Sequence, residues 1–163
     1  MANAIFDIAR KKFALNELKW DATPFAGATM VAMLYDTTPA DGQGSTVNMS
    51  TLLTTAESLT GFDLSNLTVN NSGGHLRGKT TMTGLTVETN GACNAPQVTF
   101  SSVTSTPGNS ATGILIVAVD ASNDPADCIP VVWIDSATGL PITPNGGNII
   151  VTWDTGVNKI FRL

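Results

Sequence analysis

The chain has 163 residues, enough for one domain whose hydrophobic core needs no support from disulfides or metal ions. Only 13% of the residues are charged, about half the usual ~25%, so Thr, Ser, Asn and Gly supply most of the polar surface. The net charge of −5 disfavours nucleic acid as a partner, because neutralising phosphates requires clustered Lys and Arg. No window approaches the roughly 18 apolar residues of a membrane span, so we expect no membrane contact either.

Residues 3–18 predict one amphipathic helix. Ile5, Ile8 and Ala9 follow the i, i+3, i+4 spacing of a single helical face, and the segment contains neither Pro nor Gly. The basic run at residues 10–12 is typical of the solvated face of such a helix. We therefore divide the chain into an N-terminal helix or arm, residues 1–20, and a β-sandwich domain, residues 21–163.

The rest of the chain predicts mostly strands. Residues 29–36 form an apolar run of strand length, and residues 50–59 fit one weak helix that Ser50 would cap. Further strands are predicted at residues 81–87, 96–100, 113–120, 131–135, 148–154 and 156–163. The run 113–120 is apolar on both faces, which is typical of a central strand.

This spacing of strands and turns indicates the fold class. Short strands separated by turns with Gly, Pro and Asn indicate a mainly β protein, an antiparallel β-sandwich or jelly-roll-like barrel with a short N-terminal α-helix. Jelly-roll and immunoglobulin-like topologies are both compatible with the pattern.

The last residues predict a β-hairpin. Apolar residues alternate over 149–154, and Gly156 suits the left-handed position of a three-residue hairpin loop. Beyond this loop, Phe161 and Leu163 are expected to reach the core. Removing the last strand should then unfold the domain.

The sequence offers little for catalysis. His75 is the only histidine, and it lies in a polar Ser-Gly-Gly-His loop without a GxSxG nucleophile elbow in the chain. We interpret it as a loop histidine without a catalytic role. The prediction is therefore a protein that is not an enzyme and has no catalytic residues.

Metal and cofactor motifs are equally weak. Asp120, Ser122 and Asp124 resemble the first ligands of a calcium loop, but Pro125 stands at the sixth position and Val131 at the twelfth. A polar connection between strands is the favoured interpretation, so we predict neither a metal site nor a cofactor. For the two cysteines, residues 93 and 128, ordinary thiols are favoured over a disulfide, which stays an alternative.

One segment carries a family resemblance. Residues 133–163, WIDSATGLPITPNGGNIIVTWDTGVNKIFRL, resemble the C-terminal block of a family of small virion structural proteins of tailed bacteriophages. In that family a Thr-Gly-Leu-Pro-x-Thr-Pro-Asn-Gly-Gly run leads into an Ile-rich strand, a Trp-Asp pair and a Lys-Ile-Phe segment. The N-terminal MANAIFDIARKKFALNELKW looks like the family's short opening helix, and APQVTFSSV and GILIVAVD fall where the family has its middle strands. Residues 40–95 show little likeness.

The resemblance implies a capsid decoration (cement) protein. Such a protein would bind the major capsid protein and neighbouring copies of itself, as a homo-oligomer on the capsid surface of the virion, after synthesis in the host bacterial cytoplasm. The N-terminal segment could reach a neighbour, with Phe6, Arg10, Phe13 and Trp20 as candidate partner contacts. Packing of that helix on its own sandwich is an equal alternative.

Two other functions stay open at this stage. The first is a neck, tail or fibre-associated virion protein on the same scaffold. The second is a carbohydrate-binding β-sandwich that uses loop aromatics and the loop at 120–127. The small number of loop aromatics counts against this second alternative.

Overall fold

The computed structural model of the chain describes residues 4–21, 23–39, 44–64, 67–69, 74–105, 110–156 and 159–163. Within these ranges the fold is mainly β, with antiparallel sheets in a sandwich-like arrangement, and no sheet closes into a barrel. The predicted fold class is confirmed. The strands are β1 Ala4–Ile5, β2 Thr29–Tyr35, β3 Leu76–Thr81, β4 Thr86–Val87, β5 Ala92–Asn94, β6 Val98–Phe100, β7 Gly113–Val119, β8 Ile129–Ile134, β9 Ile149–Val151 and β10 Phe161–Arg162. The α-helices are α1 Asp7–Ala14 and α2 Met49–Thr55, and a 3₁₀ helix spans Thr60–Phe62.

Five strands form the main sheet, in the order β1-β8-β7-β2-β3. Every residue of β7 is buried, as is every residue of β2 after Thr29. This agrees with the predicted central strand, since a strand covered on both faces has no polar side for solvent. The pairing of β2 with β7 runs in regular register from Thr29 opposite Val119 to Tyr35 opposite Gly113. Position 113 requires Gly because a Cβ there would overlap the Trp133 ring.

Different groups cover the two faces of the main sheet. Leu34 and Ile114 lie side by side in register and line a cavity of about 450 Å³ next to β9. On the opposite face Tyr35 packs against the Trp133 ring at a centroid distance of 6.0 Å and against the Phe62 ring at 6.2 Å. The core therefore lies on both sides of one sheet.

The N-terminal helix is shorter than the sequence predicts. β1 pairs with β8, so residues 4–5 are extended and α1 begins only at Asp7. It ends at Ala14, and Asn16 then adopts a left-handed conformation, with φ at 57°, which cannot continue a helix. α1 packs against β8 and α2. The helix thus packs on the protein's own sheet, which is the second of the two alternatives for the N-terminal segment.

The second helix is present but begins earlier than the sequence indicates. Its N-cap is Asn48 and not Ser50, and the Asn48 side chain accepts a hydrogen bond of 3.3 Å from the backbone N–H of Thr51. In the described ranges, neither this helix nor α1 has the length and hydrophobicity to cross a membrane.

The strand predicted over 81–87 is split in two. β3 ends at Thr81, and Gly84, with φ at 64°, redirects the chain before β4 begins. β4 and β5 then form a hairpin around Asn90 and Gly91, the pair that predicts a turn there. The Asn90 side chain closes this turn by accepting a hydrogen bond of 2.9 Å from the Ala92 backbone N–H.

The predicted C-terminal hairpin is wrong. β9 pairs with β6, and β10 pairs with β5, where Phe161 lies opposite Cys93. The chain crosses between two small sheets after β9; of the residues assigned to the last strand, Val157 and Asn158 lie outside the described ranges. The physical reason is burial: both strands find apolar surface on other elements, which a two-stranded hairpin alone cannot supply.

Of the two residues at the C-terminal end that are predicted to lie in the core, one is buried and the other is exposed. Phe161 is 6% exposed, so its predicted place in the core is confirmed. Leu163 is 54% exposed, and its predicted place in the core is wrong.

Candidate interaction surface

Two of the four predicted partner contacts belong to the protein's own core. Phe6 and Trp20 are 0% and 4% exposed. Phe6 packs against the Phe62 ring at a centroid distance of 5.6 Å, and Trp20 donates from Nε1 to the backbone oxygen of Asn94 at 2.9 Å. Because these contacts use both rings, neither presents a surface to a partner in this fold, which corrects that part of the prediction.

The other two predicted contacts, Arg10 and Phe13, lie where the two ends of the chain meet. Arg10 is exposed, and the half-buried Phe13 packs against the Phe161 ring at a centroid distance of 6.1 Å. Around them, residues of β1, α1 and the end of the chain line one concave surface, which encloses a depression with a volume of about 320 Å³. We call this surface the terminal patch; its residues are Ile5, Arg10, Phe13, Ala14, Arg162 and Leu163.

Four of the six residues that line the terminal patch are not predicted as contacts from the sequence: Ile5, Ala14, Arg162 and Leu163. The helical spacing places Ile5 on the inner face of a helix, and the predicted hairpin places Leu163 in the core. Arg162 carries no signal except its alternation with Phe161. These residues join the patch because β1 is extended and β10 pairs with β5, and both facts depend on distant partners.

The terminal patch combines an apolar floor with two arginines at its rim. Arg10 forms an exposed ion pair with Asp7, with Nη1 and Oδ1 3.2 Å apart. Arg162 donates from Nε to the backbone oxygen of Asn90 at 2.7 Å. An exposed pair of this kind contributes about 0–1 kcal/mol, so Arg10 can exchange Asp7 for another carboxylate at little cost.

A second candidate lies inside the protein, where Asp36 and Arg77 form a buried ion pair. The Arg77 Nη2 and Asp36 Oδ2 atoms are 3.2 Å apart, and the side chains are 3% and 2% exposed. The Asp36 carboxylate also accepts hydrogen bonds from the backbone N–H groups of Thr38 and Ser110, at 3.0 and 3.4 Å. A buried charge with this many donors is held in place, and it ties the ends of β2, β3 and β7 together.

His75, which the sequence places in a polar loop, is buried beside this pair at 2% exposed. Its Nδ1 lies 2.6 Å from the backbone oxygen of Asp36, and its Nε2 lies 3.3 Å from the Asp63 carboxylate. The ring stacks on Tyr35 at a centroid distance of 5.3 Å, and Gly44 lies so close that a Cβ there would overlap it. Burial, with the charges of Asp63 and Asp36 adding to it, raises the pKa of the Tyr35 phenol. This arrangement joins β2 and β3 to the segment after the 3₁₀ helix.

The loop with the calcium-like spacing uses its carboxylates to close turns. The Asp124 side chain accepts a hydrogen bond of 2.9 Å from the Ala126 backbone N–H, and Asp120 accepts one from Ser122. The contacts with Ser122 lower the pKa of the Asp120 carboxyl group. In the part of the chain that the structure describes, no group of three His, Cys, Asp or Glu side chains could hold a metal ion.

The two cysteines are free thiols in buried positions. Burial raises the pKa of the Cys93 thiol to about 12 and also raises that of Cys128. The sequence is compatible with a disulfide or with two ordinary thiols, and the structure contains two buried thiols.

The terminal patch is the candidate functional site, because it gathers apolar and cationic side chains at the surface while the polar cluster at Asp36 is closed within the fold. No protein-family model, curated protein or solved structure matches the chain.

Proposed function

We propose that the protein is a structural virion protein of a tailed bacteriophage, a capsid decoration (cement) protein that binds and stabilises the major capsid protein lattice. The proposal rests on the resemblance of residues 1–20 and 133–163 to a family of small phage virion proteins. One structural observation supports it: these two segments meet in space. Trp20 contacts Phe161 at a centroid distance of 4.9 Å, and Phe13 contacts the same ring from α1. The family-like segments therefore pack against one another, and residues of both line the terminal patch.

The composition of the chain suits a protein that works between neighbouring subunits. With 13% charged residues, most of its polar surface is neutral, and neutral groups lose less solvation free energy than charges when a contact covers them. Interfaces between proteins are likewise depleted of Lys, Glu and Asp at their centres. Such a surface can be covered on several sides without leaving unpaired charges.

The small size of the terminal patch favours a contact that is weak in each copy and strong in total. Specific protein interfaces bury roughly 1,200–2,000 Å² and use about 20–30 residues on each side, whereas six described residues line the terminal patch. On a symmetric lattice the same contact is repeated, and each bound copy holds its neighbours at high effective concentration. Many weak contacts of this kind add up to a large total binding free energy, by which a small protein can stabilise a large shell.

The number of copies in the particle tests the proposal. Quantitative mass spectrometry of purified virions, together with a cryo-EM map, should place on the order of hundreds of copies on the capsid surface, as lattice symmetry requires. Only about six to twelve copies, the number expected of one ring at a neck or tail, would overturn the decoration role in favour of that alternative.

The stabilising role has its own test. Particles assembled without the protein should open at a lower temperature than wild-type particles, and adding back the purified chain should restore the difference. The matched control is bovine serum albumin at the same concentration. Identical opening temperatures with and without the protein would contradict a stabilising role.

A further inference from the structure

Two sheets end beside one another at a cleft of about 540 Å³. β1 is the outermost strand of the main sheet, and β10 is the outermost strand of the sheet with the order β10-β5-β4. Both strands line the cleft, through Ala4 and Ile5 on one side and Phe161 and Arg162 on the other. Residues of the outermost strands of two sheets therefore line one cleft, together with Val132 of β8.

An outermost strand presents backbone N–H and C=O groups that the strand beside it does not use. Folded proteins generally protect such edges, and binding of an extended peptide as an added strand is one way in which they become covered. Within the described residues each edge strand is two residues long, so one edge alone offers few hydrogen bonds. A strand lying in the cleft could use both edges at once.

The charges that line the cleft favour an acidic occupant. Among the described residues that line the cleft, Arg10, Lys159 and Arg162 are cationic and Asp154 is the one carboxylate, although the whole chain has a net charge of −5. Lys159 is engaged with Glu88 at 3.4 Å. The two arginines are exposed, and guanidinium groups bind carboxylates in a bidentate manner.

The cleft continues into the apolar floor of the terminal patch. The two depressions share Ile5, Arg10 and Arg162, and the patch adds Phe13, Ala14 and Leu163. Side chains of an extended segment alternate between two directions, so a segment in the cleft can direct carboxylates to the arginines and apolar side chains to this floor.

We infer that the cleft between β1 and β10 receives an extended segment of a partner, in which Asp or Glu alternates with apolar residues, and that this segment is added as a strand. The inference rests on the proposed function only where it names the source of the segment, which is the major capsid protein. The cleft itself can be tested without the virion.

The first experiment uses a synthetic peptide, acetyl-Glu-Val-Glu-Val-Glu-amide, as the probe and the same peptide with Lys in place of Glu as the control. Titration into ¹⁵N-labelled protein should shift the amide resonances of Ala4, Ile5, Phe161 and Arg162 with the Glu peptide and leave them unchanged with the Lys peptide. Absence of shifts, equal shifts with both peptides, or shifts at other elements would overturn the inference.

The second experiment adds purified variants back to particles that lack the protein. Arg162→Glu should bind at least about tenfold more weakly than the wild-type chain, because the variant places a carboxylate against the acidic segment. The control is Lys79→Glu, an equal change of charge at an exposed position of β3, the opposite edge of the main sheet; it should bind like the wild type. Equal losses of binding affinity in both variants would indicate a general effect of charge and would contradict the assignment of the binding site to the cleft. Unfolding midpoints of both variants verify that they fold.

The outcomes separate the inference from the proposed function. If the wild type binds particles and Arg162→Glu binds equally well, the decoration role stands and the cleft assignment fails. If the Glu peptide maps to the cleft but the wild type does not bind particles, the proposed function fails and the cleft needs another source. Self-association of the wild-type chain that Arg162→Glu abolishes would assign the cleft to a second copy and overturn the capsid protein as its source.

Discussion

Trp20 and Phe161 pack in a T-shaped arrangement, with ring centroids 4.9 Å apart and ring planes at 88°. The contact joins the segment after α1 to β10, whose partner strand is β5. T-shaped aromatic pairs contribute about 0.5–1.5 kcal/mol beyond the burial of their surface. The two ends of the chain thus stabilise one another, and Phe161 also contacts Phe13 of the terminal patch.

Replacing Phe161 with Ala should lower the free energy of unfolding by about 3–5 kcal/mol, because a ring that is 6% exposed leaves a cavity. Urea unfolding followed by circular dichroism measures the loss. The control is Leu163→Ala at the 54% exposed position two residues later, which should change the free energy by less than about 0.5 kcal/mol. Similar values for both variants would show that β10 is not docked on the core.

Replacing Arg77 with Met should cost about 3–5 kcal/mol of unfolding free energy, since it leaves the Asp36 carboxylate buried without its guanidinium partner. The matched control is Arg10→Met, which breaks the exposed pair with Asp7 and should cost less than about 1 kcal/mol. Both are measured by urea unfolding at pH 7. An Arg77→Met variant as stable as the control would mean that water already reaches Asp36.

Gly113→Ala should destabilise the protein by at least about 1–3 kcal/mol, because the added methyl group overlaps the Trp133 ring and the backbone of β8. Gly78→Ala is the control in β3, where a Cβ would meet Phe100 at an ordinary contact distance of 3.4 Å. Thermal unfolding should show a clear fall of the midpoint for the first variant and a small change for the second. A reversed order would contradict the tight packing of β7 against Trp133.

Stability should fall at alkaline pH, in part because of Cys93. In the unfolded chain its thiol ionises near its ordinary pKa of 9.0, whereas burial raises the pKa in the folded protein to about 12. Above pH 9 the unfolded state therefore binds fewer protons than the folded state, so this contribution is complete below pH 9 and is lost as the pH rises toward 12. Urea midpoints from pH 8 to 11 should decline less steeply for Cys93→Ala than for the wild type. The buried Tyr35 phenol acts in the same direction in both chains, so only the difference reports on the thiol. Equal declines of the urea midpoint with pH in the two proteins would contradict a raised pKa of the Cys93 thiol in the folded state.

Local sequence rules located several elements correctly. The run at 113–120 is apolar at nearly every position, and β7 is the fully buried strand that this pattern predicts. The Asn-Gly pair at 90–91 lies in a hairpin turn, in which Gly91 adopts the left-handed conformation, with φ at 82°, that glycine permits. Both signals act within a few residues, so the sequence displays them directly.

The sequence does not show which strands from distant parts of the chain pair with one another. Residues 149–163 have the composition of a hairpin, yet β9 and β10 pair with β6 and β5, because apolar burial on those strands outweighs a local turn. The Asp36–Arg77 pair joins residues on neighbouring strands, and neither position marks the other in the sequence. The wrong prediction that Leu163 lies in the core has the same cause, because it depends on the predicted C-terminal hairpin.

By itself, the sequence determined the β-rich class, the central strands, the short N-terminal helix and a surface of low charge, since all of these depend on residue type and local period. The tertiary structure decided which segments share a sheet, which aromatic rings are buried and which arginines border the terminal patch. These depend on contacts between residues far apart in the chain, whose free energies come from burial and packing that no local pattern encodes. The cleft between β1 and β10 exists only because two such pairings place two sheet edges side by side.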